Sequence, residues 1–299
     1  MMEGSRLSCG QGTTAAITDD GRLFLWGGGG NGRLGRGSLA NSAVPREVGA
    51  SYTGDGLRVK AVCSGASHSL VLTQRGAVMA FGNGSAGKLG TQKTADALKP
   101  TEVLAGISVK AFSAGYNHSL ALSTEGTVYV FGSSEHGQLG TGSSQEQVVP
   151  TELSHELLAG RRCAHVSAGG SHSLIATEDG KVYQMGYASL GEHDDWWWIH
   201  NKLQPAEVRG TLAAVFVKAV SCGHSHSLAL SDAGKVFAWG CGGEGRLGLG
   251  GRQDVFVPMQ VCGALSNERI QKISAGGAHS AAVTERGYVL LSVTLCLSP

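Results

Sequence analysis

The sequence predicts an all-β protein, a β-propeller of four-stranded blades with five complete repeats and a partial sixth. Three observations lead there. A glycine is followed three residues later by a His-Ser pair five times, at Gly65/His68, Gly115/His118, Gly169/His172, Gly223/His226 and Gly276/His279. Short apolar runs joined by glycine turns follow each copy. Glycine fills 47 of 299 positions, about twice the roughly 7% of ordinary proteins, as a unit rich in tight turns requires.

Aligning on the anchor glycine adds a sixth copy at Gly10, with Thr13 in the histidine slot, and the anchors then step by 55, 50, 54, 54 and 53 residues. A period of this size marks an array of one supersecondary unit. The repeats cover about residues 7–57, 58–107, 108–161, 162–214, 215–268 and 269–291, with a divergent tail at 292–299. No linker interrupts the period, so a single propeller domain over residues 1–299 is expected.

Within a unit the first strand precedes the anchor, as at Val59–Val62 and Val217–Val220. The second and third are runs such as Ser119–Leu122 and Thr127–Phe131, and the Glu125-Gly126 turn between them supplies the positive φ of a tight hairpin. Both runs are almost continuously apolar, which places them between packed sheets. An aromatic-Gly pair closes the third strand at Trp26-Gly27, Phe81-Gly82, Phe131-Gly132 and Trp239-Gly240, with Met185-Gly186 in copy four. Gly-x-Leu-Gly comes next, at Gly32–Gly35, Gly87–Gly90, Gly137–Gly140 and Gly245–Gly248. A fourth strand is expected to follow each of Pro45, Pro100, Pro150, Pro205 and Pro258, where a missing N–H suits a sheet edge. Four strands make a propeller blade, and radial repetition leaves only short edges.

At these residues the chain resembles the regulator of chromosome condensation repeat family. The resemblance rests on Gly-x-x-His-Ser-Leu, x-Gly-x-Val-[Tyr/Phe]-x-[Trp/Phe]-Gly and Gly-x-Leu-Gly recurring in order over about residues 7–291. It implies a propeller, typically of seven blades, acting as a non-catalytic platform that recruits GTPase, ubiquitin or trafficking components. The founding member's activity, guanine nucleotide exchange on a Ran-like small GTPase, is the alternative; it needs a wedging loop that has no match here. A third reading is a sensor resembling the plant ultraviolet-B photoreceptor, which uses tryptophans in Gly-Trp-Arg-His-Thr repeats. Here that tryptophan slot holds Ala66, Tyr116, Gly170, His224 and Gly277. Seven blades of this period need about 370 residues. In the sixth copy Ser292 and Val293 replace the closing Trp-Gly, so the chain reads as truncated or alternatively ended, and an incomplete ring that associates with itself is expected.

With 24 basic and 23 acidic residues, the net charge of +1 gives no footprint for nucleic acid or an anionic membrane. Seven cysteines without any Cys-x-x-Cys, and no signal peptide in Met1–Gly10, point to reduced thiols in the cytoplasm or nucleus. Cys9 and Cys222 occupy a slot held elsewhere by Ser64, Ala114, Ala168 and Ala275, so they read as small core residues. The sequons at Asn83 and Asn117 are then idle. Leu290–Leu297 is apolar but far short of the about 20 residues that span a bilayer.

Several chemistry-bearing patterns arise from the repeat itself. Gly82–Lys88 approximates a phosphate loop, but Leu89 stands where Ser or Thr would hold magnesium. Gly27–Gly32 fits Gly-x-Gly-x-x-Gly, yet it follows a hairpin rather than opening a helix in a βαβ unit. Cys296–Pro299 departs from a prenylation box at its last two positions. The five histidines each adjoin a serine, the pairing used in nucleophilic catalysis. One histidine per blade is spread round a ring, however, and adjacent strand residues face opposite ways. The repeat histidines are therefore read as buried imidazoles hydrogen-bonded within their own blades, with no catalytic residue, metal or cofactor expected.

Function is sought where the copies differ. Copy four replaces its glycine-rich turn with a segment carrying Glu192, His193, Asp194, Asp195, Trp196, Trp197 and Trp198. Three consecutive tryptophans cannot all face inward in an extended segment. The cluster reads either as a protein-binding hot spot with acidic flanks or as filler for an irregular blade. A second candidate is the variable residue of Gly-x-Leu-Gly, Arg33, Lys88, Gln138 or Arg246, read either as a partner contact on one face or as solvated loop charge.

Overall fold

The computed structural model describes residues 6–49, 57–187 and 201–292. They form six antiparallel sheets of the β-propeller class, with strands in chain order within each sheet. Blade 1 is β1 (Leu7–Cys9), β2 (Thr13–Ile17), β3 (Leu23–Gly27) and β4 (Ser42–Val48). Blade 2 is β5 (Val59–Ser64), β6 (His68–Thr73), β7 (Val78–Gly82) and β8 (Ala97–Val103). Blade 3 is β9 (Val109–Ala114), β10 (His118–Ser123), β11 (Val128–Gly132) and β12 (Gln147–Glu152). Blade 4 is β13 (Cys163–Ala168), β14 (His172–Thr177), β15 (Val182–Tyr187) and β16 (Asn201–Glu207). Blade 5 is β17 (Val217–Cys222), β18 (His226–Ser231), β19 (Val236–Gly240) and β20 (Val255–Gln260). The sixth sheet has three strands, β21 (Ile270–Ala275), β22 (Ser280–Thr284) and β23 (Val289–Ser292).

The blades fall into two compact units, Met2–Glu135 with Ser144–Leu153, and His136–Ser143 with Ser154–Pro299. Inner strands touch in series within each: β1 with β5 and β5 with β9 in the first, β13 with β17 and β17 with β21 in the second.

The second strand of a blade explains its own composition. β10, β14 and β18 are buried along their whole length, and for β18 the cause is plain: one face packs with blade 4 through Ala229 and the other with blade 6 through Leu228 and Leu230. The hairpin turns as read from sequence: Gly126 has φ +88°, and its N–H donates to the Ser123 carbonyl at 3.2 Å.

Apolar clusters between adjacent blades make the core. Leu25, Leu34, Val71 and Phe81 join blades 1 and 2, and Leu70, Leu89, Ala121 and Phe131 join blades 2 and 3. In the other unit Leu174, Val220, Phe237 and Trp239 join blades 4 and 5, and Leu228, Leu247, Ile273 and Ala282 join blades 5 and 6. Three of the Gly-x-Leu-Gly leucines, Leu34, Leu89 and Leu247, belong to these clusters. Leu34, Leu89, Leu139 and Leu247 are at most 2% exposed, a burial that contributes about 2 kcal/mol apiece. The chain just beyond three of the four turns is tied to the next blade's outer strand. Gly37 N–H donates to Leu98 O at 2.7 Å, Gln92 N–H to Val148 O at 3.0 Å, and Gly142 N–H to Leu203 O at 2.8 Å.

Two expectations need correction. The fourth strand begins before its proline rather than after it: β8 runs from Ala97 with Pro100 in its middle. Ala80 faces Thr101 while Gly82 faces Ala97, so the proline's missing N–H falls in an irregularity of the pairing. Cys222 is buried as read, but Cys9, in the three-residue strand β1, is exposed.

Candidate functional site

His68, His172 and His226 lie at the start of β6, β14 and β18, with their rings aimed into the next blade. His68 Nε2 is 2.8 Å from Ser119 Oγ, His172 Nε2 is 3.1 Å from Ser227 Oγ, and His226 Nε2 is 2.8 Å from Ser280 Oγ. Hydrogen bonding within a blade, the reading from sequence, is therefore replaced by bonding between blades. A His-Ser dipeptide whose side chains face opposite ways sends its histidine forward to the next serine and leaves its own serine for the blade before. That alternation was available in the sequence as the signal for this pairing.

The serine hydroxyl fixes the protonation state. Ser119 Oγ–H donates to the Lys88 carbonyl at 2.8 Å and Ser280 Oγ–H to the Arg246 carbonyl at 2.7 Å. A hydroxyl has one proton to give. His68 and His226 must therefore donate through Nε2–H, leaving Nδ1 as a bare acceptor, and both Nδ1 atoms are buried without a partner. Such a ring cannot readily take a second proton. Burial, followed by the nearby cations Lys88 and Arg246 respectively, pushes His68 and His226 down to about 3, and burial pushes His172 down to about 4. A neutral imidazole that donates to its serine cannot also abstract that serine's proton, so these pairs are wired against activating a nucleophile.

A second series runs through the inner strands, and sequence reading missed it. The backbone N–H before the anchor glycine donates to a side chain of the preceding blade: Ser64 to Ser8 Oγ at 2.9 Å, Cys222 to Ser167 Oγ at 2.9 Å and Ala275 to Ser221 Oγ at 2.9 Å. In blade 2 a thiol takes the role, with Ala114 N–H on Cys63 Sγ at 3.3 Å. The anchors are glycine because the blades meet there at backbone distance. A Cβ on Gly65 would lie 2.5 Å from Gly115 O, and one on Gly223 2.6 Å from Gly276 O.

The variable residues of Gly-x-Leu-Gly are not solvated charges. Lys88 is 2% exposed, with Nζ on Asn117 Oδ1 at 2.7 Å and on Ser67 Oγ at 3.3 Å. Burial lowers its ammonium to about 8, against an opposing pull from Asp96. Gln138 is equally buried and accepts the His136 N–H at 2.9 Å. Arg33 and Arg246 are half-buried. Arg33 bridges Gln11 O at 3.2 Å and Ala66 O at 3.1 Å, and Arg246 reaches Gly277 O at 3.3 Å. Of the repeat histidines, His279 is exposed. Glu192, His193, Asp194, Asp195, Trp196, Trp197 and Trp198 lie outside the described residues. Among those described, no cluster of His, Cys, Asp and Glu is placed to hold a metal ion, and no helix is long and apolar enough to cross a membrane.

This order of motifs and blades matches a known repeat. The model of the regulator of chromosome condensation repeat fits residues 20–72, 75–122, 125–176 and 233–283, more than half of the chain. The chain belongs to that family. It is 31% identical to the ultraviolet-B receptor UVR8 of Arabidopsis thaliana over 286 residues, covering 95% of this chain and 51% of UVR8. It is 34% identical to the human E3 ubiquitin-protein ligase HERC2 over 274 residues, covering 90% of this chain and 6% of HERC2. The chain thus spans about half the length of one of these relatives and a small part of the other. Among solved structures, Prp20p of Saccharomyces cerevisiae, described with its binding properties to Gsp1p and histones, superposes with a TM-score of 0.77 at 22% identity, over 97% of this chain and 68% of Prp20p. That likeness supports the regulator of chromosome condensation fold.

Two concavities lie in the second unit. One, of about 450 Å³, runs along the outer strands β16 and β20, and exposed Leu157, Phe256 and Val257 line it. The other, of about 220 Å³, is bounded by His136, Gln184, Tyr187, His224 and Trp239.

Proposed function

We propose that the protein is a non-catalytic interaction platform of the regulator of chromosome condensation type, binding a protein partner through the segments in which its blades differ. The observation that carries this reading is the use made of the shared polar side chains. His68, Ser119, Lys88, His226 and Ser280 all spend their hydrogen bonds joining one blade to the next, which leaves recognition to loops on a rigid scaffold.

Small GTPase, ubiquitin and trafficking components are the partner classes. HERC2 is a ubiquitin-protein ligase by name, and Prp20p is described as binding Gsp1p. Direct nucleic-acid or membrane binding finds no support in the balanced charge. Affinity capture with a panel of nucleotide-free and nucleotide-loaded small GTPases tests the reading. Capture without acceleration of nucleotide release is the expected result. Preference for the nucleotide-free form with faster release would instead make the protein an exchange factor.

A further inference from the structure

Blade 4 carries a polar residue where its siblings carry apolar ones. On the third strand, one residue before the aromatic-Gly pair, blades 1, 2, 3 and 5 have Leu25, Ala80, Val130 and Ala238, all fully buried. Blade 4 has Gln184, 3% exposed. Its Oε1 accepts the indole N–H of Trp239, the aromatic of blade 5, at 2.8 Å. Blades 1 and 2 make the corresponding contact with Leu25 and Phe81 in one apolar cluster.

The pair fixes which way the amide points. An indole N–H can only donate, so Oε1 must face it and the two N–H donors of Nε2 must face away. Among the described residues no acceptor lies within hydrogen-bond reach of Nε2, and Gln184 lines the 220 Å³ concavity. The imidazole of His136, on the wall of the same concavity, packs edge-on against Tyr187 at 6.2 Å and, among the described residues, has no hydrogen-bond partner of its own. Ser171 and Ser225 complete a polar lining. The space is below the about 300 Å³ at which pockets begin to hold drug-sized ligands, so it takes a group the size of one side chain.

We propose that this concavity binds a carboxylate on a stem of two or three carbons, its oxygens accepting from Gln184 Nε2 and from His136. Such a group is offered either by a free small dicarboxylic acid or by a glutamate side chain of a bound polypeptide. The site stands apart from the partner reading above, since its ligand can be tested without any partner.

The test titrates the full chain with glutarate and, separately, with N-acetyl-glutamate N-methylamide. It follows the ¹⁵N–¹H resonance of the Trp239 indole, assigned by its loss in W239F, and saturation transfer from protein to ligand. Saturable displacement of that one indole resonance in the millimolar range, about 1 mM, is expected with at least one probe. Tighter binding of glutarate identifies a free acid as the ligand, and tighter binding of the capped glutamate identifies a side chain. The double variant Q184L/W239F restores the Leu25–Phe81 chemistry of blades 1 and 2 and should keep its thermal midpoint while losing saturation transfer at least about tenfold. Absence of saturable displacement with both probes, or undiminished transfer in a folded Q184L/W239F, would overturn the proposal.

Discussion

His68 in blade 2 donates its Nε2 proton to the hydroxyl of Ser119 in blade 3, 2.8 Å away, and that hydroxyl hands its own proton to the Lys88 carbonyl. One side chain thereby joins a strand and a turn of blade 2 to the start of β10. Replacing Ser119 by Ala leaves an imidazole N–H and a carbonyl buried together without partners. Each such orphan costs about 1–3 kcal/mol. The S119A variant should lose about 2–6 kcal/mol of stability in denaturant unfolding, while Ser85→Ala, on an exposed turn, should lose almost nothing. Equal effects would deny the clasp its structural weight.

Acid should weaken the same contacts. The unfolded chain takes up a proton on each histidine near the ordinary 6.5, whereas folded His68 and His226 hold out to about 3 and His172 to about 4. Their contribution is complete above the unfolded value and declines as the pH falls from about 6.5 toward the folded values. At pH 5 each removes about 2 kcal/mol relative to pH 7.5. Thermal unfolding across that window should show the loss, and H68Q should flatten it by roughly a third. A profile that H68Q leaves unaltered would count against a buried neutral ring.

The edge of β23 carries a separate expectation. The described outer strands β4, β8, β12, β16 and β20 each contain a proline, which blocks one hydrogen bond of any added strand. β23 has neither proline nor charge, and Val289 and Leu291 are more than 60% exposed. Unguarded edges invite strand pairing. Sedimentation velocity should show mass rising with concentration for the full chain and a constant monomer for Leu291→Lys. A wild-type monomer at every concentration would remove this expectation.

The tryptophan run of copy four is tested by changing Trp196, Trp197 and Trp198 together to Ser. If these side chains anchor the partner, capture should fall by at least about tenfold with the thermal midpoint held, since interface tryptophans often cost about 2 kcal/mol or more when truncated. The acidic neighbours Glu192, Asp194 and Asp195 should mainly raise the association rate, an effect that fades with salt. A large drop in the midpoint together with unchanged capture would assign the run to blade filling.

Blade count, hairpins and strand order were legible because the anchor glycine, the Glu125-Gly126 type of turn and the apolar strands are local signals repeated at one period. The direction of His68 was harder to read, because partners more than 50 residues apart share no local pattern. The burial of Lys88 was hidden for the same reason. Its ammonium is held by Asn117 of the next blade, and a lysine in a glycine turn otherwise looks like surface. Gln184 was passed over because a single polar residue in a strand carries meaning only once Trp239 is seen opposite it.

The wiring of the histidines is tested most directly by imidazole nitrogen NMR on ¹⁵N-histidine-labelled protein between pH 7.5 and pH 5. His68 and His226 should each show a protonated Nε2 and a bare Nδ1, with shifts constant across the range. A ring protonated on Nδ1 at neutral pH, or His68 and His226 titrating near 6.5, would contradict the interblade clasp.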